Sequence, residues 1–479
     1  MKTHLLSVLC AAALTLVISC SGKEDKTEKQ KPEDKAETVQ TAPQPAPKFP
    51  MAGTVKLENA EIGMGWASNS VNAPIFRKNS VTSYMGTQYA AYYDTEGYLI
   101  LAKRSLDSLE WEVKQTELKG NIRDAHRSIS LGLDGDGYLH VSWDHHDNSL
   151  HYARSSGPGS LELEKMDGML GRDEKKVSYP EFYRMPDGNL LFLYRNGESG
   201  RGNMLMNLYL TESKKWTRLH DILIDGEDIR NAYWQCCVSD DGTIHVSWVW
   251  RETWDVSTNH DICYARSIDG GMTWTNSRDE EYKLPIKQSD AEIAALVPQD
   301  RELINQTSMY ADSDGNPYIV SYWTPEGSSV PQYHLVYNNG KEWKVSQISN
   351  RTGSFSLSGG GTKKIPISRP QILIDESGDK ARAYMIYRDQ DRHSQVSVNL
   401  CYDLDSEPLE WGVYDLTDYS VRSWEPSYDT DLWKERHILD LFVQAVGQGD
   451  GEGLEEIGAQ PVGILRALEW GDSEEKFSF

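Results

Sequence analysis

From about Met51 onward the chain alternates short apolar runs, rich in Tyr, Trp and β-branched residues, with clusters of Asp, Gly and Asn. Runs of this length that break at an Asp/Gly turn and then resume predict β-hairpins rather than helices. Seven such segments follow one another: "GTQYAAYYDTEGYLILAKR", "AHRSISLGLDGDGYLHVSWDHH", "YPEFYRMPDGNLLFLYR", "YWQCCVSDDGTIHVSWVWR", "QTSMYADSDGNPYIVSYW", "RPQILIDESGDKARAYMIYR" and "WEPSYDTDLWKERHILDLFVQ". Further short runs around Trp, such as "SLEWEVKQTEL", "KKWTRLHDIL" and "GKEWKVSQIS", lie between them. They bring each repeat to about four strands over roughly 40 to 60 residues. The pattern predicts an all-β fold, a seven-bladed β-propeller spanning residues 51–479.

The first residues do not share this pattern. "MKTHLLSVLCAAALTLVISC" places a basic start before an apolar run and then a Cys, the order of a bacterial export signal over residues 1–19. "LVIS" directly before Cys20 resembles a lipoprotein signal, which implies that Cys20 carries a lipid anchor at the cell envelope and no spanning helix. Ordinary cleavage without lipid is the alternative. Residues 20–50 are charged, then Pro/Ala-rich, with no aromatic before Phe49, and predict a disordered tether. In the body, "SIDGGMTW" fits the S-x-D-x-G-x-T-W Asp-box of sialidase-like propellers, a structural turn rather than a catalytic one.

The net charge of -24 argues against a nucleic-acid partner, and would repel a polyanion unless basic side chains are gathered locally. Twelve histidines are present, three of them in "WDHHDNSLHYARS". In the second hairpin, His126 and His146 lie ten residues either side of Asp136, at the centre of the "DGDG" turn, so antiparallel pairing sets them opposite each other at the open end. In the third, Tyr179 and Arg195 lie eight residues either side of Asp187. The same rule puts Asn231 with Arg251 at the fourth mouth, Asn305 with Trp323 at the fifth and Arg369 with Arg388 at the sixth. Successive blades present their open ends around one central funnel, so these residues converge, and the arginines answer the charge difficulty. His145 points to the opposite side of its strand from His146, and His151 reads as structural.

Arg, His and Tyr without an evident pair of carboxylates suit glycoside hydrolysis poorly. They suit β-elimination at a uronate, where cationic groups neutralise the carboxylate, a His or Tyr removes the C5 proton, and a phenol protonates the leaving oxygen. No cofactor is required by that chemistry. "RDAHRSISLGLDGDGYLHVSWDHHDNSLHYARS" followed by "YPEFYRMPDGNLLFLYRNGESGRG" resembles the propeller ulvan lyases of polysaccharide lyase families 24 and 25, and the 20- and 16-residue spacings are closest to family 25. The resemblance implies that Tyr179 and His126 transfer protons, with the base left open between them, while Arg195 and His146 grip the uronate carboxylate. An unperturbed Tyr, with a pKa of about 10, needs Arg195 nearby to act as base, whereas His at about 6.5 does not. The implied substrate is an acidic sulfated polysaccharide, bound by a monomer in which Asn231, Arg251, Asn305, Arg369 and Arg388 add contacts; Arg suits sulfate-like oxyanions.

The resemblance also implies a structural metal, a zinc, for which Cys237, His245, His260 and Cys263 are candidates; adjacent Cys236 faces the other way, and the spacing fits no standard zinc motif. Buried free thiols are the alternative. Rival functions are a hydrolase or lyase acting on rhamnose-glucuronate plant gum, and a surface propeller that holds glycan without cutting it. A sialidase reading would want an arginine triad plus a Tyr/Glu nucleophile pair, and a single Asp-box is evident.

Overall fold

The computed structural model describes residues 49–74 and 79–472, so the export signal and Cys20 lie outside the described residues. Six hydrogen-bonded sheets make up the fold. The first sheet holds Val81–Tyr84, Thr87–Tyr93, Tyr98–Ser105 and Glu112–Lys119, and the second Ile129–Leu133, Leu139–Trp143, Tyr152–Ser155 and Leu163–Met166. A nine-stranded sheet contains two meanders, Val177–Arg184 through Lys215–Ile224 and Asn231–Val238 through Glu292–Ala295, joined by one parallel pairing of Gly202 with Asn231. The short strand His146–Asn148 adds to its edge. Two further meanders run from Ser308–Ala311 to Trp343–Gln347 and from Gln371–Asp375 to Trp411–Asp415. The last sheet pairs Leu439–Val443 with Gln460–Asp472, which in turn pairs with Gly53–Gly65 from the other end of the chain.

Local chemistry explains the hairpins. Asp134 Oδ1 accepts the backbone N–H groups of Asp136 and Tyr138 at 3.0 and 2.9 Å, closing an Asx turn, and Asp94 and Asp312 close theirs in the same way. Neighbouring turns touch: Gly135 donates to Gly188 O at 2.7 Å, and a Cβ on Gly135 would fall 2.7 Å from Gly188 Cα. Only glycine permits that approach, which sets the second and third hairpins side by side. The strands between these turns bury their large side chains; Trp234, Trp248, Trp250, Trp274 and Trp424 are among those fully enclosed. The Asp-box is structural, with Asp269 accepting the N–H groups of Met272 and Thr273 beside buried Trp274.

Two hairpins differ from the sequence expectation. The first, Thr87–Tyr93 with Tyr98–Ser105, supplies the second and third strands of its sheet, because short Val81–Tyr84 precedes it. The seventh contains no tight turn. There Asp429 accepts from Leu432 N–H at 3.0 Å and caps Thr430–Arg436, the one α-helix among the described residues. No described helix is long and apolar enough to cross a membrane.

Candidate active site

Ile129 faces Trp143, so the second hairpin keeps the register centred on Asp136 and carries His126 and His146 to its mouth. Their rings stack with centroids 4.1 Å apart and planes 17° from parallel. Asp124 fastens both, one oxygen 3.1 Å from His126 Nδ1 and the other 2.7 Å from His146 Nδ1. With Nδ1 turned to the carboxylate, each Nε2 points the other way across the ring, and both rings line a cavity of about 300 Å³.

The two histidines are not alike. Glu452 places Oε1 2.9 Å from His126 Nδ1 while its other oxygen accepts Ala125 N–H, so His126 meets two carboxylates. Burial alone would push its pKa down, but the hydrogen bonds to Asp124 and Glu452 outweigh burial and lift it to about 9. Burial and then the neighbouring His126 charge hold His146 below the ordinary value, against the pull of Asp124. One ring is therefore a cation at neutral pH and the other is neutral. His145 and His151 form a separate pair behind the site, the His151 N–H lying 3.1 Å from His145 Nε2.

Tyr179 is not directly opposite Arg195. Ser178 pairs with Arg195 and Glu181 with Leu193, which leaves Tyr179 and Pro180 as a bulge. Pro180 has no N–H to give the ladder, and Tyr179 takes φ +55°, a left-handed conformation that costs a non-glycine residue of order 1 kcal/mol or more. The bulge re-aims the phenol into the cavity, its ring 5.9 Å from that of His126. Burial raises the phenol's pKa above its ordinary value and keeps it protonated.

Arg195 stands behind this ring. It is 1% exposed, does not line the cavity, and lays its guanidinium carbon 5.0 Å from the Tyr179 ring centre, donating to Ser178 Oγ at 3.0 Å. Where the sequence expectation put Arg195 on a substrate carboxylate, its described contacts are to tyrosines behind the cavity wall. The second of these is Tyr233, whose hydroxyl oxygen faces Arg195, Arg251 and Asn231 donors at 3.4, 3.3 and 3.4 Å. Burial would raise this phenol, yet the Arg251 and Arg195 charges reverse the shift and pull it toward the phenolate. Tyr233 escaped the register argument, although strand alternation puts it on the same face as Asn231.

Asn231 and Arg251 pair as the sequence predicts. Arg251 lines the cavity and donates to Asn305 Oδ1 at 2.7 Å and to Asn259 Oδ1 at 2.8 Å, so Asn305 also reaches the site. The sixth mouth differs. Arg369 forms a two-pronged pair with Glu425 at 2.8 and 2.6 Å, and Arg388 donates to the carbonyls of Trp424, Pro366 and Ile365. Both line the cavity as expected, with the Arg369 charge neutralised by Glu425 and the Arg388 guanidinium holding backbone.

The four proposed metal ligands are not gathered. His245 bonds to Tyr264 and Ser239, His260 to Glu252 and Asp261, and Cys237 and Cys263 are free thiols on different strands. Cross-strand pairing explains the separation: Cys237 faces His245, whereas Cys263 faces Trp248 and His260 faces Trp250. Among the described residues the one set with ligand atoms within 4.8 Å of one another is Asp124, His126 and His146, whose atoms are already joined by the hydrogen bonds above.

Residues 87–351 match the model of the BNR repeat-containing family. The chain belongs to that family. This BNR repeat-containing protein is also 21% identical over 299 residues to an ulvan lyase, long isoform, of Glaciecola sp. (strain KUL10), a match covering 49% of the chain and 29% of the relative. The chain thus spans less than a third of that relative's length. Among solved structures it is similar to a polysaccharide lyase PL25 ulvan lyase (TM-score 0.60, 15% identity, 84% of this chain and 98% of that one). A second polysaccharide lyase matches with TM-score 0.61 and 14% identity over 89% and 94% of the two chains. The PL25 ulvan lyase bound to -[GlcA(1-4)Rha3S]- matches with TM-score 0.58 and 15% identity over 85% and 97%. At these identities the likeness shows a shared fold for the BNR repeat-containing protein.

Proposed function

We propose that this protein is a polysaccharide lyase that cleaves ulvan, a sulfated rhamnose-uronate polymer, by β-elimination from the funnel of a seven-bladed propeller. The observation that carries the reading is the composition of the cavity wall. His126, His146, Tyr179, Tyr233 and Arg251 meet there, and among the described lining residues the only acidic side chain is Glu425, held by Arg369. Hydrolysis through paired carboxylates lacks its second member. Closure of seven blades is supported by the side-by-side first strands of successive meanders and by the N-terminal strand completing the last sheet. The ulvan lyase relative and the oligosaccharide-bound PL25 structure support the substrate class.

In this reading the uronate carboxylate faces the His126 cation and Arg251, whose terminal nitrogens each keep a second N–H beyond the bonds described. His146, neutral with Nδ1 on Asp124, takes the C5 proton through Nε2. The C–H electron pair forms the C4–C5 double bond, the C4–O bond breaks, and the Tyr179 phenol protonates the departing oxygen. Arg195 tunes both tyrosines from behind. The histidines thereby exchange the roles that the resemblance implied. A lipid on Cys20 would hold this activity at the cell envelope.

Mass spectrometry of oligosaccharides released from ulvan tests the reading. Elimination leaves one product of each cut short of a water relative to hydrolysis; products of hydrolytic mass, or binding without release, would replace this function with one of its rivals.

A further inference from the structure

Of the 15 tryptophans in the chain, Trp254 alone is exposed, at 62%, and it stands at the cavity mouth. Leaving an indole in water forfeits burial worth a few kcal/mol, so its position calls for a physical reason. The bed beneath it is built. A Cβ on Gly360 would lie 3.2 Å from Trp254 Cε3, tighter than ordinary contact, and one on Gly359 would touch Cζ3 at 4.0 Å, so the ring rests close against the glycine loop. Gly359 and Gly361 take φ +77° and +74°, which favours glycine at both. Asp255 accepts Gly359 N–H at 2.7 Å, and Val256 N–H donates to Gly359 O at 3.0 Å, stitching the glycine loop to the Trp254 segment. Lys363 ties the same loop down through Gly360 O and Asp450.

That loop also reaches the reacting groups. Thr362 N–H donates to Glu452, the carboxylate that grips His126, so the indole and the imidazole are fastened to one short stretch of backbone. Beside the glycine loop the ring remains 62% exposed and lines the cavity.

We propose that Trp254 is a stacking platform for the apolar face of a pyranose ring, of the deoxyhexose kind, next to the uronate being cut. The inference rests on the lyase reading above. A planar aromatic face suits a ring whose C–H groups and methyl lie on one side, and its fixed link to His126 sets the register of the chain in the cleft. It is a binding residue and takes no part in proton transfer.

The test compares Trp254→Ala and Trp254→Phe with wild type on ulvan, by initial rates and, independently of turnover, by affinity electrophoresis in ulvan-containing gels. We expect Trp254→Ala to raise KM and weaken retention about ten-fold, with kcat held within about two-fold and Phe restoring most of the loss. Unchanged KM and retention in Trp254→Ala would overturn the platform while leaving the lyase reading intact. Wild-type retention that depends on Trp254 without any unsaturated product would overturn the lyase reading and keep the platform. A wild type that is neither retained nor active on ulvan would overturn both.

Discussion

The mouths of the second and sixth hairpins occupy equivalent places in their repeats, yet they present opposite chemistry. At the second, His126 and His146 are held from behind by Asp124 and line the cavity with their rings. At the sixth, Arg369 is locked to Glu425 and Arg388 to three carbonyl groups. Position within a repeat decides which side chains reach the cavity. Partners brought in by neighbouring loops decide whether their charge is available to a ligand.

The sharpest break of this comparison is at the reacting phenol. Tyr179→Phe keeps the ring and its contacts but removes the acid, and kcat should fall roughly 10²- to 10⁴-fold while polymer binding persists. Full turnover by this variant in a steady-state assay would remove the mechanism. Glu425→Gln probes the sixth mouth: it leaves the buried Arg369 charge unpaired and should cost roughly 3 to 5 kcal/mol of stability, read by thermal denaturation. An unchanged melting temperature would show that the Arg369 charge was available after all.

A smaller effect is expected at Glu452, and it sharpens the contrast between the two histidines. The folded-state pKa of His126 is raised from 6.5 to about 9, so the cation's contribution is complete below the ordinary value and is lost as pH rises through about 9. The charged or titratable groups facing this ring are Asp124, Glu452, His146 and Tyr179. Glu452→Gln removes one of the two carboxylates, so the alkaline limb of the pH-rate profile should move to lower pH with only a several-fold change at neutral pH. An alkaline limb that stays in place would assign it to another group.

The parts of this site that were legible in the sequence rest on local rules. Turns at Asp134 and Asp241, together with strand alternation, fix hairpin centres, so the pairing of Asn231 with Arg251 and the approach of His126 to His146 follow from counting. The bulge at Tyr179 shifts that count by one, and Pro180 was its visible signal. In "DTDLWKER" the capped helix was masked by the expectation of a seventh hairpin, although Asp429 is a regular N-cap residue. Glu452 and Trp254 sit in irregular loops with no periodicity, and only the three-dimensional fold brings them to His126 and to the glycine loop. The pairing of Arg369 with Glu425 is of the same kind: both residues were visible, their meeting was not.

Ultraviolet absorbance of ulvan incubated with the protein tests the central claim most directly, because the double bond formed next to the uronate carboxylate absorbs where the intact polymer does not. The account predicts a steady rise with wild type and essentially none with Tyr179→Phe at equal binding. A flat trace with wild type while new reducing ends accumulate would contradict it.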